Sequence, residues 1–334
     1  MHRRKFVKTV GAVSIAGIMG NSLAAMTTAT GKKAAGKRVG IIGLDTSHAV
    51  AFTKALNAAN PDAKWQGYQV VTAYPYGSRD IRTSVERMPG YTEDVKKLGV
   101  KIAGSIPELL RQVDVVFLET NDGRLHLEQA LQVLKARKPL FIDKPMAASL
   151  KDAKAIFNAA RQNNTPVFSS SSLRFITGMS DVKDGKIGKV TGAETYSPAK
   201  LEPTHPDLFW YGIHGVETLF AAMGTGCKTV RRVHTTNTDV VIGTWEDGRI
   251  GTFRGTRSGK DGYGGIVFGE KGPLVLGAFT GYDPLLVEIT RFFETGVPPV
   301  TEAETLEILA FMEAADISKK KDGNAVDVSA LLKR

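Results

Sequence analysis

The stretch VGIIGLDTSHAV, residues 39 to 50, holds the first side chains in this sequence that could do chemistry. A turn of the form G-x-G-x-x-G starting at Gly43 would let the backbone approach a pyrophosphate, with the next helix supplying N–H donors and the positive end of its dipole. That pattern needs glycine at positions 45 and 48, and the chain has Asp45 and His48 there. A carboxylate at 45 sits in the same field, and with Thr46 and Ser47 it offers acceptors for the free N–H groups of the helix. Two expectations follow: the turn holds phosphates through Gly43, Thr46, Ser47 and His48, or Asp45 is an internal anion in their place.

Two further residues suit proton and charge transfer. His214, in WYGIHGVE, titrates near neutrality and so suits a proton relay. Glu217 lies one turn further along the same helix face, so a core histidine satisfied by that carboxylate is the competing reading. Lys144, in FIDKP, is either a charge beside a reacting oxygen or a surface lysine in a strand-to-helix loop.

These residues need elements to hold them. From Lys37 onward, short apolar runs alternate with amphipathic segments: RVGIIG, YQVVTAY, VDVVFLET, PLFIDKP and PVFSSSS read as strands. HAVAFTKALNAAN and the segments 124–137 and 149–163 read as helices between them. Continuous apolar strands in βαβ alternation predict a Rossmann-like parallel sheet covered on both faces over residues 37–170. After about Leu173, runs such as KVTGAETYS, TVRRVHTTN, DVVIGTWED and RIGTFRGT alternate polar and apolar residues, and Glu246-Asp247-Gly248 is a hairpin signal. Residues 171–334 therefore predict an α+β domain with a largely antiparallel sheet and helices at 206–224 and 301–320. The fold class is α/β.

Composition bounds the rest. At 334 residues, 42% hydrophobic and 23% charged, the chain resembles an ordinary globular protein large enough for two cores. The single Cys227 excludes an internal disulfide, and no Cys/His cluster has the spacing of a structural zinc site, so no metal is expected. The net charge of +10 comes from Lys and Arg spread along the chain and from the two ends, with no basic stripe interleaved with aromatics. Nucleic acid is not an expected partner.

Residues 1–36 read as an address. HRRKFVK, with Arg3-Arg4, precedes VGAVSIAGIMGNSLAA, an apolar stretch too short and weak to span a membrane comfortably and ending in small residues. This is a twin-arginine export signal followed by a linker, which predicts passage through the twin-arginine machinery to a periplasmic or secreted location, with no membrane span once the signal is removed.

FIDKP closing the first domain, SLRF opening the second, then DGKIGKV and WYGIHGVE, give the mature chain an order of elements that resembles the glucose-fructose oxidoreductase, inositol dehydrogenase and rhizopine-catabolism superfamily (Gfo/Idh/MocA). The resemblance implies an oxidoreductase that transfers hydride between a sugar or polyol derivative and NAD or NADP. It implies that Lys144 stabilises the alkoxide and that His214 is the acid or base on the hydroxyl. It places Thr120, Asn121, His126 and Asp143 on the cofactor side and Arg174, Trp210 and Tyr211 on the substrate side. The sequence departs from the family where Trp210 replaces a carboxylate, and where YPYGSR replaces the acidic residue after the second strand. Ser78 and Arg79 there either hold the extra phosphate of NADP or belong to a solvated loop. In such proteins the second domain often forms dimer or tetramer contacts, which implies a homo-oligomer.

Two other readings stay open. One is a cofactor-free carbohydrate lyase or hydratase whose cleft is lined by Asp45, His48, Lys144 and His214. The other is a non-catalytic carbohydrate-binding protein stacking sugars on Trp210, Tyr211, Tyr74 and Tyr76.

Overall fold

A computed structural model describes residues 37–334, so the proposed signal with Arg3 and Arg4 lies outside the described residues. Six parallel strands, β1 (Arg38–Ile42), β2 (Gln69–Tyr74), β3 (Lys101–Ile102), β4 (Val115–Leu118), β5 (Leu140–Asp143) and β6 (Val167–Ser170), lie in the order 3-2-1-4-5-6. The order reverses between β1 and β4, where doubly wound sheets open a crevice at the carboxyl ends of their strands. β4, β5 and β6 are buried along their whole length; β4 is an unbroken apolar run, while β5 and β6 begin apolar and end on the buried polar residues Asp143, Ser169 and Ser170 at the carboxyl edge.

Five helices follow these strands: α1 (Ser47–Leu56), α2 (Arg82–Lys97), α3 (Ile106–Leu110), α4 (His126–Lys135) and α5 (Leu150–Gln162). α3 and α5 start on Ser105 and Ser149, whose hydroxyls accept from Glu108 and Asp152 N–H. α1 starts on Thr46 with no side-chain cap, so the expectation that Asp45 caps this helix is corrected.

The second sheet holds β7 (Val190–Pro198), β8 (Cys227–His234), β9 (Thr238–Trp245), β10 (Ile250–Thr256), β11 (Gly264–Gly269), β12 (Gly272–Leu276) and β13 (Val326–Asp327), in the order 12-11-7-10-9-8-13. Its pairs are antiparallel except β7 with β10, which run parallel from Gly192↔Ile250 to Pro198↔Thr256. The long connection between these two strands gives the chain room to return in the same direction.

The remaining helices are α6 (Met179–Lys183), α7 (Asp207–Trp210), α8 (Ile213–Met223), α9 (Asp283–Thr295), α10 (Glu302–Lys320) and α11 (Val328–Leu332). The single helix expected over 206–224 is broken at Tyr211, whose φ of −132° takes it out of the helical region. α9, which the sequence did not announce, returns to the first sheet. Its Leu285, Leu286, Ile289, Phe292 and Phe293 share one core with Phe117, Phe141 and Phe168.

Candidate active site

A cavity of about 140 Å³ lies between the carboxyl edge of the first sheet and the second layer. The start of α1 gives it Thr46, Ser47 and His48; the ends of β4 and β5 give Asn121 and Lys144; the second layer gives Ser172, Tyr211, His214, Tyr263 and Tyr282. Seven stretches remote from one another in sequence therefore meet on one small volume.

Its charged centre is Asp143, the last residue of β5, which is fully buried. One carboxylate oxygen lies 3.0 Å from His48 Nδ1, and the other accepts from Lys144 Nζ at 3.1 Å. Burial pushes Asp143 up, but His48 and Lys144 outweigh it and hold the carboxyl well below its usual range. Burial acts against the charge on Lys144, and the adjacent Asp143 carboxylate overcomes it, so this lysine stays an ammonium. Glu119, at the end of β4, is fully buried with neither carboxylate oxygen hydrogen-bonded, and it stands 4.0 Å from His48 Nδ1. Burial first and the Asp143 charge second drive it well above the ordinary carboxyl value, so it is the neutral acid of the group.

His214 opens α8, and its Nδ1 lies 2.8 Å from Ser171 Oγ. That oxygen also accepts from Leu173 N–H, and as a hydroxyl it can give or take at Nδ1, so both imidazole tautomers are available. Burial, then the charges of Lys144 and His48, push His214 well below its ordinary value. It is a neutral imidazole beside an ammonium, which is the pairing a proton acceptor next to a developing oxyanion needs. The expectation that Glu217 satisfies this histidine is corrected, because Glu217 accepts from Arg174 at 2.9 Å.

Arg174 is not at the cavity. It is buried in ion pairs with Glu217 and Glu304, and a guanidinium taken out of water needs such partners. Trp210 also stays off the cavity, packed on the His205 ring at 4.9 Å, while Tyr211 lines it with its hydroxyl 3.3 Å from that of Tyr263. His126 is fully buried, with Nδ1 3.0 Å from Pro145 O and Nε2 2.7 Å from Thr120 O. It clasps the Lys144 loop to the end of β4 rather than facing a ligand. Arg79 is exposed, 5.8 Å over the Tyr76 ring, and the Ser78 hydroxyl donates to Asp80 at 2.8 Å.

Gly43 has φ +92°, and a Cβ there would come 2.3 Å from Thr120 N, so the turn requires glycine. Asp45 is fully buried and accepts from Asn121 N–H at 3.0 Å and Ser78 N–H at 3.4 Å. Sequence reasoning missed Glu119, Ser171, Tyr263 and Tyr282. Glu119 had a signal, an acid closing the apolar run VVFLE; the two tyrosines sit in loops with no spacing to mark them.

The sequence pattern of an oxidoreductase family with an NAD-binding Rossmann fold, Gfo/Idh/MocA, matches residues 37–171. A 1,5-anhydro-D-fructose reductase of Ensifer adhaerens is 30% identical over 129 residues, covering 37% of this chain and 38% of that one. The chain matches between 32% and 40% of the length of its curated relatives. Scyllo-inositol dehydrogenase from Lactobacillus casei, solved with NAD(H) and scyllo-inositol, superposes with a TM-score of 0.67 at 16% identity, over 87% of this chain and 99% of that one. An oxidoreductase from Agrobacterium radiobacter, in complex with NAD+, L-tartaric acid and magnesium, gives 0.67 at 17% identity, over 88% and 99%. At those identities the likeness is one of fold.

A nicotinamide dinucleotide fits this site at one end and meets an obstacle at the other. The glycine turn at Gly43, the uncapped start of α1 and the buried Thr46 hydroxyl with no hydrogen-bond partner fit a ligand rich in acceptors, with Asp143 and Lys144 at the substrate end. Asp45 is the obstacle, since its carboxylate holds the N–H groups of Ser78 and Asn121.

Proposed function

We propose, from the match of residues 37–171 to the NAD-binding domain of the Gfo/Idh/MocA oxidoreductase family, that this chain oxidises or reduces a carbinol carbon of a sugar or polyol derivative in the cavity between its two layers. The observation that carries this reading is the meeting of the Lys144 ammonium and the neutral His214 imidazole on one small cavity. His214 takes the hydroxyl proton as the carbonyl forms. Lys144 stabilises the oxygen while it carries negative charge, and Asp143 keeps Lys144 ionised and aimed. Tyr211 and Tyr263 supply hydroxyls for the remaining oxygens of a polyhydroxylated substrate. NAD or NADP, when bound, accepts or returns the hydride.

The protein is exported by the twin-arginine route in this reading and works in the periplasm or outside the cell. No helix among the described residues is long and apolar enough to cross a membrane. Tyr196, Ile250, Phe268 and Val275 stand exposed on the open face of the second sheet and support a homo-oligomer. The test is to follow nicotinamide absorbance with purified protein, NAD or NADP, and a panel of inositols, aldoses and their oxidised counterparts. Reduction or oxidation of the nicotinamide that is lost in Lys144→Met and His214→Asn supports the reading; no turnover across the panel with nucleotide demonstrably bound counts against it.

A second reading, a nucleotide-free carbohydrate lyase or hydratase, is favoured by one observation, the burial of the Asp45 carboxylate in the first turn.

A further inference from the structure

The crevice of the first sheet opens where strand order reverses, between β1 and β4. Asp45 follows β1 and Asn121 follows β4, so their 3.0 Å hydrogen bond spans that crevice from wall to wall. The other carboxylate oxygen takes the N–H of Ser78, from the segment after β2. A single buried carboxylate thus joins the three loops that a dinucleotide would have to pass between.

The segment after β2 closes the same gap a second time. β1 lies between β2 and β4, so residues 75–80 must cross its end to reach the segment after β4, and several contacts show that they do. Thr120 Oγ1 donates to Tyr76 O at 3.2 Å, Tyr76 Oη donates to Glu128 at 3.3 Å, and Arg124 reaches Asp80 at 2.6 and 3.1 Å. The chain is also shaped around the carboxylate: a Cβ at residue 77 would come 2.5 Å from Asp45 Oδ2, and the residue is Gly77. Ser78, at 2% exposure, completes the cover.

We infer that Asp45 is an internal competitor of the dinucleotide: from the first turn it occupies the N–H donors of the loops after β2 and β4, and NAD or NADP binds only when this carboxylate is expelled and the strap of residues 75–80 lifts. The inference rests on the proposed function for the identity of the ligand. A dinucleotide brings two phosphate charges toward a buried carboxylate that already holds the local N–H groups, so like-charge repulsion and loss of those hydrogen bonds both oppose it.

Calorimetric titration of wild type, Asp45→Asn and Asp45→Gly with NAD and with NADP tests this, after each protein has been denatured in part of the sample to measure nucleotide carried through purification. Asp45→Asn keeps the side-chain shape without its charge, and Asp45→Gly restores the glycine of the fingerprint, so a folding defect in one leaves the other. The expected result is wild type purified free of nucleotide, with both variants binding roughly tenfold or more tightly than it. Stoichiometric nucleotide released from wild type, or equal affinity in all three proteins, overturns the inference. So does the absence of binding in every variant, which would show that something other than Asp45 closes the turn. The titration needs no turnover, so a variant that gains nucleotide but transfers no hydride sinks the proposed function and leaves this inference standing.

Discussion

Asp143 and His48, 95 residues apart in sequence, meet with carboxylate and imidazole 3.0 Å apart at the wall of the cavity that His48 lines. The same carboxylate carries Lys144 on its other oxygen, so one buried charge orients two cations or donors. Removing it should be felt at both. Asp143→Asn is expected to lower turnover about as much as Lys144→Met, by roughly 10²- to 10³-fold, since the second removes the ammonium that faces the developing oxyanion and the first removes the carboxylate that keeps that ammonium ionised and aimed. Measured kcat for the two single variants and the double variant checks this, and the double variant should be no worse than either single one.

The neutral state of His214 is maintained by burial and by the neighbouring Lys144 and His48. An NMR titration of the imidazoles should place its midpoint well below 6.5 in wild type. Lys144→Met removes one source of the depression, so the midpoint should move up. A wild-type midpoint at or above 6.5 would remove His214 as the proton acceptor at neutral pH.

Glu217 gives a stability signature with a defined sign. Burial raises its pKa to about 7 from 4.5, with Arg174 opposing. Between those two values the folded protein holds a proton that the unfolded chain has released, so stability falls as pH rises through the window. Melting temperatures of wild type and Glu217→Gln, compared between about pH 4.5 and 7.5, should show wild type losing its advantage toward the upper end.

Arg174→Ala tests the structural assignment of that residue. It leaves Glu217 and Glu304 without their shared buried cation, an interruption that typically costs about 3–5 kcal/mol. Denaturant unfolding measures the loss. The folded fraction should keep its KM for substrate, because the guanidinium does not line the cavity.

Export makes the last prediction. Replacing Arg3 and Arg4 by Lys preserves the charge and removes the motif, and the precursor should then stay in the cytoplasm. Cell fractionation and blotting of the double variant against wild type read the outcome.

Much of the first domain was legible because its buried strands start with runs of consecutive apolar residues, which leave few alternatives to a covered parallel sheet. Lys144 and His214 were legible as well, and the structure brings both to the same cavity. What stayed hidden depends on pairing across long separations. Arg174 faces Glu217 at 43 residues and Glu304 at 130, and no local pattern distinguishes such a partner from a ligand. The parallel register of β7 with β10 was hidden too, since alternation within a strand marks its buried face and says nothing of the direction of its neighbour.

The return of α9 to the first sheet sets an order of events in synthesis. Phe292 lies edge-on to Phe168 at 4.7 Å, and Phe293 stacks on Phe117 at 5.7 Å, so the aromatic floor of the N-terminal sheet is finished by residues made more than a hundred positions later. When β6 has left the ribosome this floor still lacks its cover, and it keeps an exposed aromatic surface until residues 283–295 emerge. A nascent chain halted near residue 170 should therefore be a chaperone substrate rather than a finished domain, and native structure in the first half should appear only after release of the second.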